Sequence, residues 1–428
     1  MRLTEDSILN STANWSVDEW LAHLESIHPS EIELGLTRIR AVGEQLGCLK
    51  PAPLVILVGG TNGKGTTTSL LTNLLMAQGL RVGRYNSPHI LRYNERVSVN
   101  NTDISDADLL RSFAAVEAGR GETTLTYFEF GTLSALWHFA HSELDAVVLE
   151  IGLGGRLDAV NIADADISVV TSIGLDHMNW LGDTVEQIAY EKCSIARPDR
   201  WLVCGQAEAP HSAAETVAAI GGHFCAAGEA FAAQLHGDQL QVRYQANDGS
   251  QTELSFSQWH IPYPNIATAV QTLSLVDRLP AAEVIVREVA ALKVPGRMQR
   301  WQRGDLTLIL DVAHNPQAAA WLASQQPDVD VMILGMLGDK DVAGVLAAMP
   351  QAVNLWLCGL DCYRGLAAEA LQQRAADAGV PAQRIFTGVA EALEQLPSSG
   401  VCLVAGSFHT VEAATLWLNA QGNEWNCI

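Results

Sequence analysis

The chain has 428 residues, of which 48% are hydrophobic and 17% charged, the balance of an ordinary globular protein with two or three domains. Its formal net charge of −22 argues against a nucleic-acid binder, which presents a basic face, and obliges any site for an anionic substrate to build its own positive potential. Eight cysteines without a regular framework, a first ten residues without a basic-then-apolar leader, and no apolar run near the roughly 18 residues of a membrane span predict a reduced, cytoplasmic protein with no membrane partner.

In chain order, residues 1–50 are helical in pattern. Ser16 with Glu19 forms a capping box, and Leu21, Leu24 and Ile27 continue the stripe to a break at Pro29. A second helix is expected over Ile32–Leu46. Leu54 to Val58 is a short buried strand. A Gly-rich turn follows, and Thr66 to Gln78 reads as a helix stopped by Gly79. Strand, glycine loop with Lys64, then Thr66 or Thr67 at a helix start is a phosphate cradle: the glycines turn backbone N–H groups around an anion, and Lys64 adds a point charge. It is not a standard Walker A, because Val58 stands where that pattern has its first glycine.

Arg81–Tyr85 is the next strand, ending in Asn86-Ser87-Pro88-His89. Polar residues past the C-terminal end of a strand stand where open α/β sheets hold ligands. Ser87 alone reads as a turn residue before Pro88 sooner than as a ligand, and His28 before Pro29 likewise reads as a turn residue sooner than as part of a ligand cleft. Ser105–Ala118 is a capped helix, and Thr126-Tyr127-Phe128-Glu129 precedes a long apolar one whose His138 and His141 lack a carboxylate partner at metal spacing. Asp145–Glu150 is a strand with Glu150 at its C-terminal end, within reach of a metal at the phosphate loop, as a Walker B acid is. Ile151–Asp158 is not a dinucleotide turn. Ile167–Thr171 is a strand leading to Asp176-His177, a ligand pair or a turn with a cap. Glu191-Lys192 lies on a helix over Thr184–Ala196, where such a pair is normally a solvated face.

Strands at Trp201–Cys204 and Gln239–Tyr244 and helices at Asn265–Val276 and Ala281–Leu292 complete this half. Lys293-Val-Pro-Gly-Arg297 reads as a hinge. The βα pattern then restarts, with strands at Leu306–Asp311, Val331–Gly335, Leu355–Cys358, Arg384–Phe386 and Val401–Ala405. Cys358 and Cys362 have no second pair at zinc spacing and read as reduced thiols. The residues alone reach an ATP or GTP site with Mg²⁺ in a two-domain α/β protein, with the acceptor of the transferred group left open.

Several segments in one order narrow this. Gly60-Thr-Asn-Gly-Lys-Gly-Thr66, Ser87-Pro-His89, Tyr127-Phe-Glu129, Glu150-Ile-Gly-Leu-Gly-Gly-Arg-Leu-Asp158, Leu175-Asp-His177, Glu191-Lys192, Pro295-Gly-Arg297, Asp311-Val-Ala-His-Asn-Pro316 and Gly406-Ser-Phe-His-Thr410 together resemble the folylpolyglutamate synthase family of the Mur-ligase superfamily. Leu24–His28 and Thr126–Glu129 resemble its bifunctional bacterial branch, which also makes dihydrofolate. The resemblance implies an N-terminal, mainly parallel P-loop-type ATPase domain (1–293) and a smaller Rossmann-like α/β glutamate-ligase domain (294–428). It implies a ligase in which ATP phosphorylates a carboxylate of dihydropteroate or of a folate tail, and the amine of L-glutamate displaces phosphate.

Residue by residue, Thr61, Asn62, Gly63, Lys64, Gly65, Thr66, Asn265, Arg297 and Asp311 match ATP contacts. Ser26, Ile27, His28, Pro29, Thr126, Tyr127, Phe128, Glu129, Leu157, Asp158 and Ala159 match the pterin or folate side. Ser87, Glu150 and His177 match ligands of two Mg²⁺ ions, and Lys192 a lysine carried as a carbamate, so that Lys64, His177 and Lys192 are the catalytic candidates. Dihydropteroate, tetrahydrofolates, ATP and L-glutamate are the implied partners of a monomer. Two other readings share the pattern: a Mur-type ligase for a UDP-linked precursor, and a P-loop switch or kinase without this acceptor.

Overall fold

The computed structural model describes residues 14–28, 33–246, 248–326 and 328–428. It divides into two compact units: the residues up to His89 with Tyr93–Leu292, and Ile90–Arg92 with Lys293–Ile428.

The first unit is built on an eight-stranded sheet. Its strands are β1 (Leu54–Gly59), β2 (Val82–Tyr85), β3 (Val97–Val99), β4 (Thr102–Asp103), β5 (Ala146–Glu150), β6 (Ile167–Val170), β7 (Trp201–Cys204) and β8 (His223–Ala226), in the order β4-β3-β2-β5-β1-β6-β7-β8. From β2 to β8 every pairing is parallel, and at the other edge the β2–β3 and β3–β4 pairings are antiparallel. The central strands read as unbroken apolar runs because helices cover both their faces, the usual state of a parallel sheet. β1 lies between β5 and β6, in a register that sets Val58 opposite Glu150 and Gly59 opposite Val170. The C-terminal ends of β2, β5, β1 and β6 are therefore neighbours, and the loops leaving them are the ones that hold Ser87, Glu150, Lys64 and His177.

Helices Lys64–Met76 and Tyr263–Leu275 are buried along most of their length. A three-stranded antiparallel sheet, β9 (Ala232–His236), β10 (Gln239–Gln245) and β11 (Gln251–Phe256), packs on the second of them. An amide pair joins the two elements: Gln271 Nε2 donates to the Gln245 carbonyl at 3.0 Å, and Gln245 N to Gln271 Oε1 at 2.9 Å.

The second unit has a seven-stranded sheet: β12 (Gln299–Arg303), β13 (Asp305–Leu310), β14 (Asp328–Leu334), β15 (Gln351–Cys358), β16 (Arg384–Phe386), β17 (Ser399–Ala405) and β18 (Asn426–Cys427), in the order β16-β15-β14-β17-β13-β12-β18. The five strands from β16 to β13 are parallel, and β12 and β18 add an antiparallel edge. Separate apolar clusters line its two faces, one around Leu334, Leu357 and Leu403, the other around Leu308, Ile333 and Val404.

The expected strands form within a residue or a few of their predicted ends. The pieces the sequence pattern missed lie at or next to a sheet edge: β3, β4, β12 and β18 are short or only half-buried and lack an apolar run. The second helix starts at Thr37, later than expected, and Ile32, like Pro29, lies outside the described residues. Cys358 is a free, buried thiol and Cys362 is free as well.

Candidate active site

The phosphate loop is fixed from three sides. Gly60 has φ +138°, and a Cβ there would overlap the Thr171 hydroxyl, so no other residue fits. Thr61 N donates to the Ser172 carbonyl at 2.8 Å and Asn62 N to Ser172 Oγ at 2.9 Å, which binds the loop to the end of β6. Thr61 Oγ1 donates to the Gly174 carbonyl at 3.1 Å and accepts from Gly174 N at 3.0 Å. Gly63, at φ +84°, caps the helix Lys64–Met76, and Asn265 Nδ2 holds its carbonyl at 2.8 Å while reaching Thr67 Oγ1 at 3.1 Å. Lys64 arches back over the loop, with Nζ 3.0 Å from the Gly60 carbonyl and 3.3 Å from that of Thr61. Gly65 and Thr66 form the first turn of the helix, with Thr66 buried. A helix N-terminus that follows a glycine loop, with a lysine arched over it, makes a site for polyphosphate.

Two neighbouring loops bring carboxylate and hydroxyl beside it. Glu150, at the end of β5, is only 5% exposed, and the Ser87 N–H donates to its Oε2 at 3.2 Å. Ser87 precedes a cis proline, Pro88. Asn86 accepts from Thr68 of the loop helix at 2.9 Å. Among the described residues no three His, Cys, Asp or Glu side chains form a ready-made metal cage. The donors at hand are the buried Glu150 carboxylate, the Ser87 hydroxyl and the hydroxyls of the loop helix. All are oxygens, and they suit a hard divalent cation that also keeps phosphate or water ligands.

His177 follows the loop from β6 and caps the short helix Met178–Leu181 with a left-handed backbone, φ +52°. Its N–H donates to Asp176 Oδ1 at 2.8 Å. On the next helix, Val185–Cys193, Lys192 is 4% exposed, which overturns the reading of Glu191-Lys192 as a solvated face. Burial, then the nearby Lys64 cation, push its amine down to about 7. Glu191 is half-buried and paired with Arg156 at 2.8 Å.

The acceptor-side candidates lie on three segments that hold one another. Thr126 caps the helix Tyr127–Ala140 in a capping box with Glu129. The Glu129 carboxylate also takes Arg38 Nη2 at 3.1 Å; Arg38 Nε pairs with Glu33 at 3.1 Å, and Glu33 with His28 Nε2 at 3.0 Å. Ser26 and Ile27 end the helix Val17–Ser26, both bonded to the His23 carbonyl. Asp158 is 5% exposed and accepts from Leu153 N at 2.8 Å and Val160 N at 2.9 Å. Desolvation outweighs those bonds and pushes its carboxyl up to about 6. Phe128 packs against this loop: a Cβ on Gly152 would fall 2.6 Å from its ring and 3.2 Å from Asp158 Oδ2. Ala159 is buried and Leu157 half-buried.

In the second unit, the Arg297 guanidinium lies over the Phe408 ring, 5.2 Å from its centroid. Asp311 is 8% exposed and accepts from Met298 N and Ala313 N, each at 2.8 Å. Its burial raises the carboxyl above the usual range, opposed first by Arg297. Sequence reasoning missed the supporting residues Thr171, Ser172, Asn86, Glu33 and Arg38. They are small polar or charged residues in unremarkable surroundings, and only the fold reveals their partners.

Residues 58–200 match the Mur ligase middle domain and residues 296–408 the Mur ligase glutamate ligase domain. The dihydrofolate synthase/folylpolyglutamate synthase of Escherichia coli K12 is 40% identical over 92% of this chain and 93% of its own length. The enzyme of that description from Haemophilus influenzae is 37% identical over 93% and 96%. The chain belongs to the dihydrofolate synthase/folylpolyglutamate synthase family. Its fold agrees with solved members. E. coli FolC in complex with DHPP and ADP superposes with a TM-score of 0.88 at 39% identity, over 96% of this chain and 99% of that one. A bifunctional folylpolyglutamate synthase/dihydrofolate synthase with Mn, AMPPNP and L-glutamate bound gives 0.87 at 40%, over 95% and 99%. As a member of this family the protein is an ATP-dependent ligase with a Mur-ligase-like fold, a dihydrofolate synthase and folylpolyglutamate synthase.

Proposed function

We propose that the residues assembled above carry this activity as follows: L-glutamate is joined to 7,8-dihydropteroate and to the glutamate tail of tetrahydrofolates through an acyl phosphate. The supporting observation is the convergence of the Lys64 loop, the Ser87–Glu150 pair, His177 and buried Lys192 at the ends of four neighbouring strands.

Thr61 to Thr66 and Lys64 hold the ATP phosphates; Asn265 keeps the loop in shape through Gly63, and Arg297 with Asp311 serves the nucleotide. A carboxylate oxygen of the acceptor attacks the γ-phosphorus, the bond to the β-phosphate oxygen breaks, and ADP leaves. The glutamate amine then attacks the acyl carbon, phosphate departs with the bonding pair, and the amine proton passes to solvent. Phosphoryl transfer of this kind is governed by positioning and charge neutralisation. The Ser26–Pro29, Thr126–Glu129 and Leu157–Ala159 segments orient the pterin end.

Ser87 and Glu150 would hold one Mg²⁺, and His177 with carbamylated Lys192 a second. When bound, such ions neutralise charge on the phosphates. Lys192 is suited to the modification because its amine is neutral in part near pH 7: the nitrogen attacks CO₂, and one proton is released as the N-carboxylate forms. We place the enzyme in the cytoplasm as a monomer, in keeping with eight free cysteines.

Phosphate release from ATP and Mg²⁺ tests the assignment, with dihydropteroate or tetrahydrofolate present and glutamate added or withheld. Glutamate-dependent release with both acceptors is expected. Release with tetrahydrofolate alone would remove the dihydrofolate synthase role, and release indifferent to both acceptors would remove the ligase.

A further inference from the structure

The geometry points to Arg96 as a positioning residue that locks the loop carrying Ser87 to the acceptor-side segment Thr126–Glu129. This rests on the acceptor-side reading above. Arg96 ends the short turn Tyr93–Arg96 just before β3. Its backbone carbonyl accepts from Asn86 N at 2.9 Å, and its Nε donates to His89 Nδ1 at 2.9 Å, closing the loop Asn86–His89 at both ends. The Arg96 cation also acts electrostatically on the buried Tyr85 at the end of β2.

The guanidinium then lies against two rings, 5.1 Å from the centroid of Tyr93 and 5.7 Å from that of Tyr127. Those rings meet edge to face at 5.9 Å, and His89 packs on Tyr93 at 5.9 Å. Tyr127 is the first residue of the helix that Thr126 caps. A single planar cation thus spans from the Ser87-Pro88-His89 turn to the first turn of the acceptor-side helix. Lysine cannot replace it, because a point ammonium neither stacks on two rings nor donates through a rigid fork.

The link matters because the two ends of the reaction are set by different segments. The acceptor is held at its pterin, while the carboxylate that reacts is at its far end, toward the phosphates. A misplacement of about 1 Å between reacting groups costs on the order of a hundredfold in rate. Arg96 fixes the spacing between the segment that seats the acceptor and the loop that neighbours Glu150.

Three variants of the full chain test this: R96K, H89A and the double variant. Each single variant should lower kcat with dihydropteroate about tenfold or more, while calorimetric ADP affinity stays at the wild-type value. The double variant should be no worse than R96K, because both changes remove one link. Multiplicative losses, or ADP binding weakened in step with kcat, would overturn the proposal. Hydrogen exchange supplies a readout independent of turnover: H89A should speed exchange at the Glu129 and Phe130 amides, and unchanged exchange there also overturns the link. Failure of the functional reading would show in the wild-type enzyme, as release independent of glutamate. Failure of the link shows only in the variants.

Discussion

At the scale of single residues, two lysines of the site behave differently. Lys64 touches loop carbonyls, so Lys64→Ala should leave the fold intact and abolish glutamate-dependent phosphate release with either acceptor; near-wild-type turnover would remove the loop from the mechanism. Lys192 is a buried base whose folded value, about 7, lies below its ordinary 10.5. Between those values the unfolded chain binds a proton that the folded chain does not, so stability rises with pH across that window. Below pH 7 the penalty of burying the amine is at its full size. Lys192→Met should therefore melt higher than wild type at pH 7 in bicarbonate-free buffer, with the difference shrinking toward pH 10.5. A pH-independent difference would refute the buried-amine account. Lys192→Ala should lose activity that short carboxylates partly restore, if the working group is a carbamate. Lys64 was legible in the glycine-loop pattern itself, whereas Lys192 was named only by the resemblance of its segment, and composition and periodicity pointed the wrong way for it. A Glu-Lys pair on a helix looks the same in sequence whether it faces solvent or a neighbouring loop, and here Gly155 makes the close approach: a Cβ on it would come within 3.0 Å of the Lys192 carbonyl.

Elements were legible where burial and period agree. The β1, β5 and β6 runs are fully or almost fully buried and stood out as apolar blocks, and Ser16, Ser105 and Thr184 cap their helices by side-chain bonds. What stayed hidden is the chain of ion pairs from His28 through Glu33 and Arg38 to Glu129, because its partners are up to 91 residues apart. That chain makes a prediction about an element. The Glu129 side chain is 4% exposed, so Arg38→Ala withdraws its cation and leaves a buried carboxylate served only by the helix cap. The loss should be about 2 kcal/mol of stability, read as a lowered midpoint in urea at unchanged slope. Thr126→Ala should cost about 1 kcal/mol by removing the cap. Both variants should raise KM for dihydropteroate while leaving KM for ATP in place, and equal rises in the two constants would show that the first turn of this helix does not serve the acceptor specifically.

For the whole molecule, charge is the property that the site must work against. The chain carries −22, and every proposed substrate is an anion. Local cations and helix N-termini act over a few ångströms, whereas net charge acts over a Debye length, about 30 Å at 0.01 M salt and about 10 Å at 0.1 M. Raising the salt across that range at constant Mg²⁺ therefore screens the long-range repulsion first and leaves the short contacts in place. The association rate of ATP should rise, opposite to the behaviour of an electrostatically steered enzyme. The acceptor gives a sharper version. Each added glutamate consumes one carboxylate in the new amide and brings two, so the tail gains one negative charge per turn of the reaction. The salt-induced fall in KM should then grow with tail length, smallest for dihydropteroate and larger for each longer folate. Steady-state KM for acceptors of one, two and three glutamates at the two salt concentrations measures it. A salt effect indifferent to tail length would mean that the tail meets a local positive field strong enough to mask the charge of the whole chain, and the acidic composition would then have no part in substrate capture.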